Sequence, residues 1–93
     1  MTNFKVVISE TAVKQFNKLE ASTKERIKGH LPALEENPYE KRPGADIKKL
    51  KGFRNPVLHR LRVGDFRIIY AVQEKVVKIT EIFRRGKGYG WLD

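Results

Sequence analysis

Hydrophobic and polar positions follow two different periods along this chain, first helical and then alternating. Phe4-Lys5-Val6-Val7-Ile8 is short, β-branched and stops at Ser9, which predicts a strand leading into a helix N-cap. Ala12, Val13, Phe16 and Leu19 then recur at helical spacing while Lys14, Gln15 and Lys18 point elsewhere, an amphipathic helix over about residues 10–20. Ser22-Thr23-Lys24-Glu25 has the S-x-x-E form of a capping box, and Ile27, Leu31 and Leu34 follow at i, i+4 and i+7. A second helix is predicted from there. Pro32 removes one of its hydrogen bonds and crowds the preceding turn, so a kink or break is expected near Gly29–Leu31, and Asn37-Pro38 ends the helix.

Residues 38–56 carry Pro38, Pro43, Gly44, Gly52 and Pro56 among Lys48, Lys49, Lys51 and Arg54, which predicts a basic connecting loop anchored by Leu50. Beyond it the period changes to two. Three strands are expected over roughly 57–63, 66–72 and 76–83, joined at Gly64-Asp65 and near Glu74-Lys75. The predicted architecture is α+β, in the order β-α-α-β-β-β, a single domain over residues 1–93. Its helical hairpin packs on a twisted, mainly antiparallel four-stranded sheet.

A two-residue loop at Gly64-Asp65 sets the side-chain directions. Val63 then lies opposite Phe66, Arg62 opposite Arg67, Leu61 opposite Ile68, Arg60 opposite Ile69 and His59 opposite Tyr70, and cross-strand partners share a face. Val57, His59, Leu61, Val63, Phe66, Ile68, Tyr70 and Val72 form the face that meets the helices. Arg60, Arg62 and Arg67 fall on the other, solvent side, over Leu58, Ile69 and Ala71. Such a row is either a solvated sheet face or a phosphate site; placing Arg62 across from Arg67, with only Asp65 nearby as a counter-charge, argues for an anion between them. Arginine suits that role because its planar fork grips phosphate oxygens in pairs.

Charge sharpens this picture. The chain has 93 residues, with 20 Lys/Arg against 11 Asp/Glu, a net +9. Residues 1–40 are balanced, so the whole excess lies in residues 41–93. A basic region of this kind is the footprint of a polyanion, with nucleic acid the leading candidate. The segment Phe83-Arg84-Arg85-Gly86-Lys87-Gly88-Tyr89-Gly90-Trp91 adds cations and aromatic rings, which serve either as a flexible end or as stacking platforms for single-stranded RNA. There is no cysteine, and His30 and His59 are isolated, so neither a disulfide, a thiolate nucleophile nor a metal cluster is expected, and no cofactor. His59, on the core face, reads as a packed histidine more than as a base. The apolar runs are too short for a membrane span and the first residues lack a signal peptide's apolar stretch, so a cytoplasmic protein is expected.

Lys48-Lys49-Leu50-Lys51-Gly52, Arg60-Leu61-Arg62-Val63-Gly64-Asp65-Phe66-Arg67-Ile68-Ile69-Tyr70 and Arg84-Arg85-Gly86-Lys87-Gly88-Tyr89 together resemble the RelE/ParE toxin superfamily. The resemblance spans essentially the whole chain, including the Asn37-Pro38 that closes the helical hairpin. It implies a RelE-like microbial ribonuclease fold and the toxin of a type II toxin–antitoxin system, held inactive by a RelB-like antitoxin. The RelE branch cuts mRNA in the ribosomal A site; the ParE branch poisons DNA gyrase. By the resemblance Arg67 is the family's arginine of the G-x-[YF]-R context, Arg60 its basic residue on the preceding strand, Arg85 its C-terminal arginine with Lys87 as second choice, and Tyr89 its terminal tyrosine. Leu58 stands where some RelE enzymes carry a lysine, which leaves the general base open.

These residues imply a metal-independent endoribonuclease with Arg60, Arg67, Arg85 and Tyr89 catalytic and Lys48, Lys49, Lys51, Arg62, Arg84, Lys87 and Trp91 binding RNA. In that mechanism a ribose 2′-hydroxyl attacks the adjacent phosphate and the protein stabilises the pentavalent phosphorane, with the ribosome and mRNA as partners. A gyrase inhibitor and a non-catalytic RNA binder are the alternatives.

Overall fold

The computed structural model describes residues 3–86, apart from the Phe53 side chain. Five strands and two helices follow in the order β1 (Lys5–Ile8), α1 (Glu10–Asn17), α2 (Ala21–Glu36), β2 (Asp46–Arg54), β3 (Val57–Val63), β4 (Phe66–Gln73) and β5 (Val76–Arg84). They build one sheet in the order β1-β5-β4-β3-β2, antiparallel except where β1 runs parallel to β5. The sheet therefore has five strands where four were expected. The additional strand, β2, occupies residues read from the sequence as a loop, and its pairing with β3 shifts between Lys49 and Arg54. Leu50 is buried as anticipated.

Ser9 caps α1 as its position predicted: its hydroxyl accepts from Ala12 N–H at 3.1 Å and donates to the Thr80 carbonyl at 3.1 Å. The helix ends at Asn17, earlier than the apolar spacing suggested. The Ser22 capping box is not used; α2 starts two residues earlier than that box implies, at Ala21, with Glu20 in the N-cap position. It also runs unbroken through Pro32 to Glu36. Its last carbonyls find a side-chain partner, because Arg42 donates to Ala33 at 2.8 Å and to Asn37 at 3.0 Å. The Ala33 carbonyl also accepts the C-cap Asn37 N–H at 3.0 Å, so the guanidinium adds a second donor there and supplies one to the Asn37 carbonyl just beyond the helix.

The β3–β4 register is the one derived from the two-residue loop, from Val63↔Phe66 to Leu58↔Ala71. On the helix side, Ile47, Leu61, Ile68 and Ile82 stand opposite one another across β2 to β5, and Ala12, Ile27 and Leu34 close over them. Tyr70, wholly buried, donates its hydroxyl to the Pro38 carbonyl at 2.7 Å and so pins the end of the helical hairpin to the sheet. His59 stacks on Tyr70 with ring centroids 5.5 Å apart and is buried, in keeping with a packed histidine. A bulge interrupts the β4–β5 pairing between Ile69 and Tyr70. Beside it, Ile82 N–H donates to Gln15 Oε1 at 2.6 Å and Gln15 Nε2 donates to Glu81 at 2.9 Å, so a single helix residue satisfies the irregular strand.

Two expected outcomes follow from this packing. Gln15→Ala leaves the Ile82 N–H without its acceptor and should destabilise the fold by about 1–2 kcal/mol, read as a lower urea midpoint at unchanged m-value. His59 has its pKa lowered by burial and then by the Lys49 charge, and its buried Nδ1 has no hydrogen-bond partner among the described residues. Because the unfolded chain takes up a proton near pH 6.5 that the folded chain refuses, stability should fall as pH drops from 7.5 through 6.5. His59→Phe should flatten that part of the urea-midpoint profile.

Candidate nucleic-acid interface

On the face away from the helices, two rows of side chains cross the sheet. One runs Asp46, Arg62, Arg67, Phe83; the next runs Lys48, Arg60, Ile69. Ile69 and Phe83, which end these rows, are buried with Leu50 in a small second core, with Leu58 packed against it. The arginines therefore share their face with an apolar cluster. An aliphatic arginine stem packs readily against such a cluster, and a charge set beside it is screened less than one on a helix surface.

The three strand arginines differ sharply in exposure. Arg62 keeps 51% of its side chain in solvent, Arg60 only 11%. Arg67 is 2% exposed, which corrects the expectation that it lies on the solvent side. Its register is as derived, but its Nη1 donates to the Gly64 carbonyl at 3.0 Å and the Phe66 carbonyl at 3.1 Å, holding the guanidinium against the β3–β4 turn. The second correction concerns the counter-charge. Asp46 fills that role, with Lys41 at 3.8 Å, Arg62 at 3.9 Å and Arg60 at 4.0 Å from its carboxylate oxygens.

The remaining sequence-derived candidates divide. Lys48 is exposed and pairs with Arg60 on the same face, whereas Lys49 pairs with His59 and belongs by register to the opposite one. Lys51 is exposed in the irregular part of β2. Arg84 pairs with Phe66 and lines a cleft of about 780 Å³ on the helix side with Lys18, Arg26 and Asp65. Arg85 is exposed just beyond β5, and its N–H donates to the Asp65 carbonyl at 2.7 Å, so the chain leaves the sheet beside the turn that holds Arg67. Lys87, Tyr89 and Trp91 lie outside the described residues. Reading residues 38–56 as a loop hid Asp46 and Lys41; the alternation of buried Ala45 and Ile47 with half-exposed Asp46 and exposed Lys48 was the available signal.

No curated protein sequence matches the chain. Among solved structures it is similar to an archaeal RelE–RelB complex from Pyrococcus horikoshii OT3, at 32% identity over 92% of this chain and 99% of that one, with a TM-score of 0.77. A RelB–RelE antitoxin–toxin complex from Methanococcus jannaschii matches at 25% identity over 94% of this chain and 99% of that one, TM-score 0.72. The intact E. coli RelBE complex shares the fold, at 23% identity over 90% of this chain and 99% of that one, TM-score 0.68. The family described as ParE toxin of type II toxin–antitoxin system, parDE, matches residues 6–89. With the helical hairpin, the mostly antiparallel sheet and the arginine-bearing strands accounted for together, the chain belongs to this toxin family, within the RelE/ParE superfamily.

Proposed function

We propose that this toxin is a ribosome-dependent endoribonuclease that cleaves mRNA in the A site and is neutralised by a RelB-like antitoxin. The observation that carries the reading is the gathering of Arg60, Arg62 and Arg67 on adjacent strands of one face, beside the point where Arg85 leaves the sheet. Phosphoryl transfer needs charge stabilisation and alignment more than covalent participation, and a cluster of fixed cations supplies both. The 32% identity to a toxin solved in complex with RelB supports the antitoxin as partner.

In this mechanism the 2′-hydroxyl oxygen attacks the adjacent phosphorus in line while the bond to the 5′-oxygen breaks. The 2′ proton leaves, the 5′-oxygen gains one, and the products are a 2′,3′-cyclic phosphate and a free 5′-hydroxyl. Arg60 and Arg85 bind the phosphate oxygens, and Arg67, held at the turn, adds positive potential from beneath. Tyr89 stacks on a base or moves a proton. The arginines stay protonated and cannot take the 2′ proton, so the protein's own acid–base help is weak, alignment comes largely from the ribosome, and the free protein is a poor nuclease.

The reading predicts that primer extension on a message during induced expression shows cuts only when that message is translated. Arg85→Ala, an exposed position, should lower cleavage by roughly 10²-fold with an unchanged circular-dichroism spectrum. Arg67→Ala should lower cleavage and the urea midpoint together, since it removes a buried, hydrogen-bonded group. Cleavage should persist in EDTA once the ribosome's own magnesium is restored, and a 2′-deoxy substitution at the cut site should block it. Intact message with broken DNA would establish gyrase as the target instead.

A further inference from the structure

The Asp46 cluster carries more than a structural ion bridge. Lys41, Arg62 and Arg60 approach the carboxylate from three directions at 3.8, 3.9 and 4.0 Å, about 1 Å longer than a charge-assisted hydrogen bond. One carboxylate thus faces three cations without closing on any of them, and the surplus is two positive charges. Arg60 is the most telling member: its side chain is 11% exposed, and its buried Nε has no hydrogen-bond partner among the described residues. A buried guanidinium so poorly satisfied is an expensive arrangement, and an anion closing on its Nη edge, where Asp46 stands at 4.0 Å, offsets that cost. A phosphate, larger than a carboxylate and carrying more oxygens, fits that demand.

We propose that Lys41, Arg60 and Arg62 form a phosphate subsite in which Asp46 is a resident anion, displaced or outcompeted by an incoming nucleic-acid backbone phosphate. The proposal rests on the RNA-binding reading above and adds to it a partner for Lys41 and a role for Asp46. In the free protein Asp46 offsets the repulsion among the three cations; toward RNA it competes with the ligand and holds affinity down. A purely structural ion bridge predicts the reverse, since loosening it would disorder the cations and weaken binding.

The test uses the full chain and a non-cleavable 2′-O-methyl RNA decamer, titrated from 50 to 300 mM KCl. Asp46→Asn should tighten binding roughly three- to five-fold, as expected for partly exposed charges near 4 Å, and steepen the slope of log K against log salt by about 0.7, one extra single-strand phosphate contact. The gain should vanish in the Asp46→Asn/Arg62→Ala double variant. Glu25→Gln on the helix side, which changes net charge equally, should leave the slope unchanged. Lys41→Ala should weaken binding and flatten the slope where Lys14→Ala does not, and this pair decides the matter if Asp46→Asn fails to fold. A parallel thermal-shift titration with inorganic tripolyphosphate reads the subsite without RNA: greater stabilisation of Asp46→Asn than of the parent supports it even if the decamer does not bind, in which case the RNA reading alone fails. Equal gains from Asp46→Asn and Glu25→Gln, weaker binding by Asp46→Asn, or no response to either probe would overturn the proposal.

Discussion

The outer face depends on the length of one loop. Because side chains in a strand alternate with period two, the two residues Gly64 and Asp65 determine that Arg62 and Arg67 stand together on one face while Leu61 and Ile68 stand together on the other. A single inserted residue would turn one strand over and bury its arginines under the helices. Gly64 is suited to the loop because its φ is +57°, as the first central position of a type II′ turn requires. Arg67 then donates to the same Gly64 carbonyl, so the turn that sets the register also holds a charged group of the site.

Much of this was legible in the sequence because the relevant rules are local. Ser9 as an N-cap, the Gly64-Asp65 loop and the two faces of the β3–β4 hairpin each follow from a few neighbouring residues. β2 was not legible for a physical reason. It is an edge strand, and edge strands protect themselves from pairing with other chains by lysine and irregular register. Lys48, Lys49, Lys51 and Gly52, together with the shift between Lys49 and Arg54, give it the composition of a loop. The Ser22 capping box failed because the N-cap lies two residues earlier, at Glu20, which puts Ser22 inside the first turn. Arg67 was placed on the right face but at the wrong depth, since register determines direction while its burial comes with a guanidinium folded back onto the Gly64 and Phe66 carbonyls.

The depth of the arginines divides the basic residues into two kinds. Lys48 and Lys51 are exposed, and in water at physiological salt their attraction for a polyanion is screened over about 8 Å. Charges of this kind attract a polyanion from a distance and in a salt-sensitive way, without selecting a geometry. Arg60 and Arg67 are largely buried, where the local dielectric is lower and each charge acts more strongly on whatever anion reaches it. A cation held in place before the ligand arrives needs no reorganisation at the moment charge develops, which is the condition for stabilising a transition state more than a ground state. That arrangement is costly in the absence of an anion, because like charges repel most where solvent is excluded. Asp46, reachable by three cations yet bonded closely to none, is positioned to offset that cost, and its placement on the edge strand β2 makes the least regular strand of the sheet the one that completes the electrostatics of the site.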